Sequence, residues 1–499
     1  MIHVNKLSKS YGSQCLFDGI SFSMGAGERV GLVGRNGHGK TTLFKMILGQ
    51  EEPDGGEIRV PRGYRIGHLS QHLRFTAKTV LDEGTLDLPS SEDGTDLTYK
   101  AEAVLMGLGF TVHDLARSPL ALSGGYQIRL NLAKLFISQP RLLLLDEPTN
   151  YLDILSIRWL IRFLQNWKEE LILITHDRDF MDQVTTHTLG IHRCQVRKIA
   201  GPTWKLYVQL ALEEEVHEKT RVRDEKKRKE AEQFINRFRA QATRARAVQS
   251  RIKALERQAG LEKIRAEKNL AFRFTDAPFH GKRLLEAKNL VFSFSDKGPP
   301  LIDDVTLSVA KGDRIAIIGQ NGKGKSTLLN ILAGELQPCK GRVTASENLK
   351  LAYFGQTNID RLDPEKTVEA EILTALPEFS RKQARSICGA MMFEDDKALK
   401  KIQVLSGGER SRVLIGRLLA SPANLLLLDE PSNHLDMEST DSLVEALQAF
   451  DGAVVIVTHS ELVLKAVASR LVVFDGGRVE LFSGPYQDFL EQVGWESEP

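Results

Sequence analysis

The sequence predicts two α/β domains, each built around a mostly parallel sheet and joined in tandem by a long α-helical hairpin. Three observations lead there. First, the chain repeats itself: GRNGHGKTT (Gly34 to Thr42) returns as GQNGKGKST (Gly319 to Thr327), LSGGYQIR (Leu122 to Arg129) as LSGGERSR (Leu405 to Arg412), and LLLLDEPTNYLD (Leu142 to Asp153) as LLLLDEPSNHLD (Leu425 to Asp436). The copies stay in step, since Lys40 and Lys325 are 285 residues apart, and Glu147 and Glu430 are 283 apart, as are His176 and His459. Second, each copy alternates short β-branched or leucine-rich runs with helical patterns, the signature of strand–helix–strand units. Third, Thr203 to Ala259 holds no glycine and no proline over 57 residues rich in Glu, Lys, Arg, Ala and Gln, which reads as long helix. The domain limits that follow are residues 1–203, 204–284 and 285–499.

Composition narrows the class. Of 499 residues, 42% are hydrophobic and 26% charged, with a net charge of +2, which is ordinary globular material too long for one core. No apolar run reaches the length of a membrane span, and MIHVNKLSKSYG at the start lacks the apolar core of a secretory signal. The four cysteines (Cys15, Cys194, Cys339, Cys388) show no metal-ligand spacing, so a reducing, cytoplasmic address is expected.

Taken in order, RVGLVG (Arg29 to Gly34) and RIAIIG (Arg314 to Gly319) read as buried strands, each entering a loop of the form G-x-x-x-x-G-K-[ST] and then a helix. Glycines at Gly34, Gly37, Gly39 and at Gly319, Gly322, Gly324 let backbone N–H groups close around phosphate oxygens, and the helix N-terminus adds positive potential. Asn36, Lys40, Thr41 and Thr42 in one loop, and Asn321, Lys325, Ser326 and Thr327 in the other, are the side chains expected to touch ATP. The lysines neutralise the β- and γ-phosphates, while the Thr41 and Ser326 hydroxyls suit Mg²⁺. LLLLDE and LILITH, with their second copies, are further buried strands ending in polar residues, where open α/β sheets place ligands. Asp146 and Asp429 suit the metal shell; Glu147 and Glu430 suit activation of an attacking water. Taken alone, each carboxylate pair fits a helix cap before a turn equally well, but that reading leaves the duplication unexplained. His176 and His459 end strands 29 residues beyond those glutamates; a lone histidine there is more often structural, yet both are placed to reach a γ-phosphate.

LSGGYQ and LSGGER resemble the signature of the ATP-binding cassette (ABC) superfamily, over nearly the whole chain. The resemblance implies two P-loop NTPase domains that close face to face on two ATP molecules, a monomer pairing its own halves. It implies that Ser406, Gly407 and Gly408 complete the site of Lys40, and that Ser123, Gly124 and Gly125 complete the site of Lys325. It assigns Gln71 and Gln356 to the metal, Asp153 and Asp436 to the loops between the sites, and Tyr11 and Phe294 to adenine stacking. Every catalytic residue type stands in both copies, so the resemblance implies an ATPase with two hydrolytic sites. Tyr126 departs from the pattern after SGG, Tyr151 faces His434 in the alignment, and Ser460 replaces Asp177.

The linker separates the possible kinds of cassette protein. Ala211 to Leu270 holds 17 basic and 11 acidic residues, and within Ile235 to Arg257 there are seven basic residues and one acid. The acids cluster in the first arm, and Arg237, Arg239, Arg244, Arg246, Arg251 and Lys253 gather near the expected turn, a distribution that attracts a polyanion. By composition alone a solvated helical spacer stays open. Two cassettes without membrane spans and with this linker resemble the ABC-F family of translation factors, in particular a bacterial subgroup with a basic-tipped linker. That implies a ribosome partner near the E site, with the linker arginines reaching rRNA and P-site tRNA. A fused double ATPase serving a separate membrane permease is the alternative.

Overall fold

The structure, a computed structural model, describes residues 2–12, 14–69, 75–86, 88, 98–238, 249, 272–295, 298–355, 361–375, 380–393, 395–433, 435–475 and 478–495, with backbone alone for several residues of 224–238. Contacts divide the chain into two compact units, Met1–Ala200 with Leu270–Pro499, and Gly201–Asn269.

The first unit holds both copies of the repeat. Each contains a six-stranded sheet with one strand order. In the first copy it runs Ile66–His68, Leu142–Asp146, Glu170–Ile174, Arg29–Val33, His187–His192, Gln195–Ala200. The first five strands are parallel, and the last returns antiparallel. The second copy repeats this with Leu351–Phe354, Leu425–Asp429, Ala453–Val457, Arg314–Gly319, Arg470–Asp475 and Arg478–Ser483. Leu142 to Leu145 and Leu425 to Leu428 are buried, because helices cover both faces of a parallel sheet and leave no side for polar residues. A three-stranded antiparallel sheet flanks each, built on Ile2–Tyr11 and on Arg283–Phe292.

The strand order positions the chemistry. Arg29–Val33, Glu170–Ile174 and Leu142–Asp146 lie side by side and parallel, so the glycine loop, His176 and the Asp146–Glu147 pair emerge at one edge. The two copies then meet on that edge. Ile154 and Leu155, at the start of helix Ile154–Gln165, sit in the same buried cluster as Ala316, Ile318 and Leu435 of the other copy.

The second unit is described as one helix, Thr203–Phe238, of 36 residues. Its polar face carries local ion pairs, Lys219 with Glu215 and Arg221 with Glu218. Trp204, Val208, Leu212 and Val216 recur every fourth residue as an exposed apolar stripe. Arg237 belongs to this helix by its backbone alone; Arg239, Arg244, Arg246, Arg251 and Lys253 lie outside the described residues. Among the described residues no helix is long and apolar enough to cross a membrane.

Candidate active sites

Each glycine loop closes with a glycine in the left-handed region, Gly39 at φ 90° and Gly324 at φ 101°, capping the helices Lys40–Ile47 and Lys325–Leu332. A β-carbon on Gly39 would lie 2.9 Å from the Phe17 ring, so packing as well as φ demands glycine. Lys40 and Lys325 are buried, and each folds back onto its own loop. Lys40 Nζ donates to the Gly34 and Arg35 carbonyls (2.6 and 3.2 Å), and Lys325 Nζ to those of Gly319 and Gln320 (2.9 and 2.8 Å). Burial lowers both lysine pKa values, that of Lys325 to about 8. An ammonium in that position gains from phosphate charge.

Beside each lysine a hydroxyl and a carboxylate pair up. Thr41 Oγ1 donates to Asp146 Oδ2 at 3.0 Å, and Ser326 bonds Asp429 likewise. Next along the chain, Glu147 and Glu430 both adopt φ 50°, a costly conformation for a side-chain-bearing residue. Their carboxylates are pushed up to about 8, chiefly by burial, with the adjacent Asp146 or Asp429 charge adding to it. One oxygen of each is buried without a hydrogen-bond partner, although His176 Nε2 lies 3.3 Å from Glu147 Oε1 and His459 Nε2 lies 3.5 Å from Glu430 Oε1. A strained, desolvated carboxylate with an unused oxygen is suited to take a proton from water.

This has a measurable consequence. With burial pushing these carboxyls up to about 8, a growing share of them is protonated and unable to accept a proton as the pH falls below that value. The kcat/KM for ATP is therefore expected to rise about tenfold per pH unit up to that point and then level off. A profile flat between about pH 6 and pH 9 would remove the general-base role.

The copies interlock across these sites. A cavity of 420 Å³ is lined by Phe294, Asn321, Lys325, Ser326, Thr327, Asp429, Glu430 and His459 of the second copy together with Gly125, Tyr151 and Leu152 of the first. Asp153 Oδ2 accepts from Asn321 N at 3.1 Å, and Asp436 Oδ2 from Asn36 N at 3.5 Å. Phe294 is 75% exposed at the mouth and Tyr11 50% exposed, its hydroxyl bonded to Glu51. Ser123, Gly124 and Gly125 open the helix Gly124–Ile137, and Ser406, Gly407 and Gly408 open Gly407–Ala420. Asp177 caps its helix by accepting from Phe180 N, whereas Ser460 makes no such bond; His459 instead reaches Asn321 Oδ1 at 3.1 Å. Gln71, Gln356 and His434 lie outside the described residues.

Sequence reasoning missed Arg129. It is 1% exposed and donates to the carbonyls of Tyr151 (2.8 Å) and Leu108 (3.0 Å), with Asp153 Oδ2 at 3.4 Å. The available signal was an arginine at the same offset in LSGGYQIR and LSGGERSR. Also unforeseen were three ion pairs between the copies: Arg35 with Glu438, Arg178 with Asp441, and Lys465 with Asp179.

Paired P-loop domains with interlocked glycine loops and LSGG helices define a tandem ATP-binding cassette ATPase. A family model described as "ABC transporter" matches residues 17–150 and 302–433, and a second of that description matches residues 189–274. The probable ATP-binding protein YbiT of Escherichia coli O157:H7 is 35% identical over 99% of this chain and 100% of its own length. The ABC transporter F family member 5 of Arabidopsis thaliana is 32% identical over 98% of this chain and 77% of its own. Among solved structures, the archaeal ribosome recycling factor aABCE1, in complex with the ribosomal stalk protein aP1, superposes with a TM-score of 0.65 at 21% identity, over 98% of this chain and 92% of that one; the likeness is one of fold. The chain belongs to the ABC-F family of tandem ATP-binding cassette ATPases. It binds ATP and hydrolyses it to ADP and phosphate.

Proposed function

We propose that ATP hydrolysis here times a stay of the protein on the ribosome, in the cytoplasm, with the basic linker as the part that meets RNA. The observation that carries this reading is the linker: a glycine-free and proline-free insertion whose described arm is a continuous helix and whose sequence concentrates arginine at the expected turn. A spacer has no need of that polarity, whereas arginine forks suit phosphate and exposed base edges. The fold likeness to a ribosome recycling factor supports the same partner class.

In this reading two ATP molecules bridge the cassettes. Lys40 and Lys325 hold phosphate oxygens, Ser123 to Gly125 and Ser406 to Gly408 close on them from the opposite cassette, and Glu147 and Glu430 accept a proton from the attacking water. His176 and His459 hold those carboxylates in line, and Tyr11 and Phe294 cover the adenines. Mg²⁺ fits beside each loop. Among the described residues no cluster of three or more His, Cys, Asp or Glu side chains could hold a metal unaided, and phosphate oxygens would add to the shell of an ion held here. Thr41 with Asp146, and Ser326 with Asp429, are the hydroxyl–carboxylate pairs that would complete it, with Gln71 and Gln356 adding amide oxygens; the ion supplies charge neutralisation on the transferred phosphoryl group. Loss of phosphate removes the bridge, and the cassettes part.

The test is ribosome co-sedimentation of Glu147→Gln/Glu430→Gln protein at near-physiological salt. Pelleting that needs ATP supports the proposal, and recovery with a membrane permease instead overturns it. Changing Arg244, Arg246 and Arg251 to Glu is expected to weaken pelleting at least tenfold and to flatten its salt dependence, because each lost phosphate contact removes about 0.7–0.9 from the log–log salt slope. ATP binding by the purified variant should be unchanged.

A further inference from the structure

The two ATP sites share every catalytic residue type, but the helices that close them begin differently. In the helix starting at Gly407, Ser406 and Glu409 form a reciprocal cap. The Ser406 hydroxyl and backbone N–H both donate to Glu409 Oε2 (3.0 and 2.9 Å), and Glu409 N donates to Ser406 Oγ at 3.3 Å. These bonds, with Arg412 close by, hold the Glu409 carboxylate below its usual range against the opposing effect of burial, so it is ionised at neutral pH. The hydroxyl that must reach a γ-phosphate is thus already given to a carboxylate, and a fixed negative charge sits one turn from where phosphate arrives.

In the helix starting at Gly124 the corresponding residue is Tyr126. Ser123 makes no side-chain cap bond, so its hydroxyl is uncommitted. Tyr126 turns inward: its hydroxyl donates to the Gly109 carbonyl at 3.2 Å, its ring meets Phe110 edge-on, and the Arg129 guanidinium lies 4.8 Å from its centre. Burial pushes the phenol further up, which keeps it neutral. Arg129 then braces Asp153, which grips Asn321 N in the opposite glycine loop at 3.1 Å; the matching grip of Asp436 on Asn36 N is 3.5 Å. Local helix start and loop brace therefore favour the same site.

We propose that the two sites are unequal by construction. The site of Lys325, closed by Ser123, takes ATP more tightly, and the site of Lys40, closed by Ser406, is held back by Glu409. Tyr126 and Glu409 act as positioning residues: each decides whether its signature serine is free to donate. Glu409 is an ordinary helix cap when no nucleotide is near, and its cost appears only when two anions compete for one hydroxyl. This rests on the pairing of each LSGG helix with the opposite glycine loop.

The experiment isolates each site in Glu147→Gln/Glu430→Gln protein, where bound ATP is not consumed. Adding Lys40→Ala leaves the Lys325 site, and adding Lys325→Ala leaves the Lys40 site; each is titrated with a fluorescent ATP analogue. The Lys325 site is expected to bind about tenfold tighter, the size of one charge-assisted hydrogen bond. Glu409→Gln keeps a capping acceptor but drops the charge, and should tighten the Lys40 site about tenfold, with the difference shrinking at high salt. Tyr126→Glu should weaken the Lys325 site, and Tyr126→Phe, which keeps the ring over Arg129, should leave it unchanged. Equal affinities at the two sites, or no effect of Glu409→Gln, overturn the inference while leaving two working ATP sites. Nucleotide binding at neither isolated site would overturn the composite-site reading and this inference with it.

Discussion

Replacing Glu147 and Glu430 together by Gln is expected to lower ATP turnover by about two to four orders of magnitude, the range of a lost general base. Binding should survive, because neither carboxylate is needed to hold phosphate. Both sit at a strand end in the left-handed region, buried, with one oxygen unpartnered. Gln has the same shape as the neutral carboxyl that burial favours, so the fold should be little changed while the chemistry is lost. The single variants should each keep the other site's turnover, if only in part, since the two glutamates serve different ATP molecules. Steady-state phosphate release measures the loss, and retained ATP after rapid desalting measures the binding.

The second large effect is structural. Arg129→Met is expected to destabilise the cassettes by about 3–5 kcal/mol, because it strands a buried carboxylate. Asp153 keeps the Ser156 and Asn321 amides but loses its cation, and the carbonyls of Tyr151 and Leu108 lose their donor. Arg412, the equivalent residue, has a buried Nε without a hydrogen-bond partner, lies 5.6 Å from the Phe393 ring and meets Glu409 and Asp436 through charge, so Arg412→Met should cost less, about 1 kcal/mol. Chemical unfolding of the two variants compares them directly. Equal losses would mean that Arg129 is no more a brace than Arg412.

Much of this architecture is legible in the sequence. The repeat placed both glycine loops, both carboxylate pairs and both histidines, because strands buried on two faces admit few polar residues except at their ends. The long helix was legible from an absence of glycine and proline. What escaped was everything that depends on how the two copies dock. Arg178 and Asp441 are 263 residues apart, and Arg35 and Glu438 are 403, so no local periodicity links them. Such half-exposed pairs contribute about 1 kcal/mol or less each; they set register more than strength. The role of Tyr126 escaped for a different reason. In the sequence it is an isolated departure from a motif, and its contacts with Gly109, Phe110 and Arg129 are long-range ones that no local pattern announces. The left-handed backbone of Glu147 and Glu430 has no sequence signal beyond the Pro148 and Pro431 that follow.

The central claim is that two ATP molecules lie between two cassettes, each gripped from both sides. The most direct test counts the ATP retained per chain by Glu147→Gln/Glu430→Gln protein after rapid desalting, alone and with Ser123→Arg added. Two ATP per chain are predicted, falling to one when arginine blocks the site of Lys325, although Ser123 belongs to the other cassette. Retention of two in both proteins would contradict the composite sites.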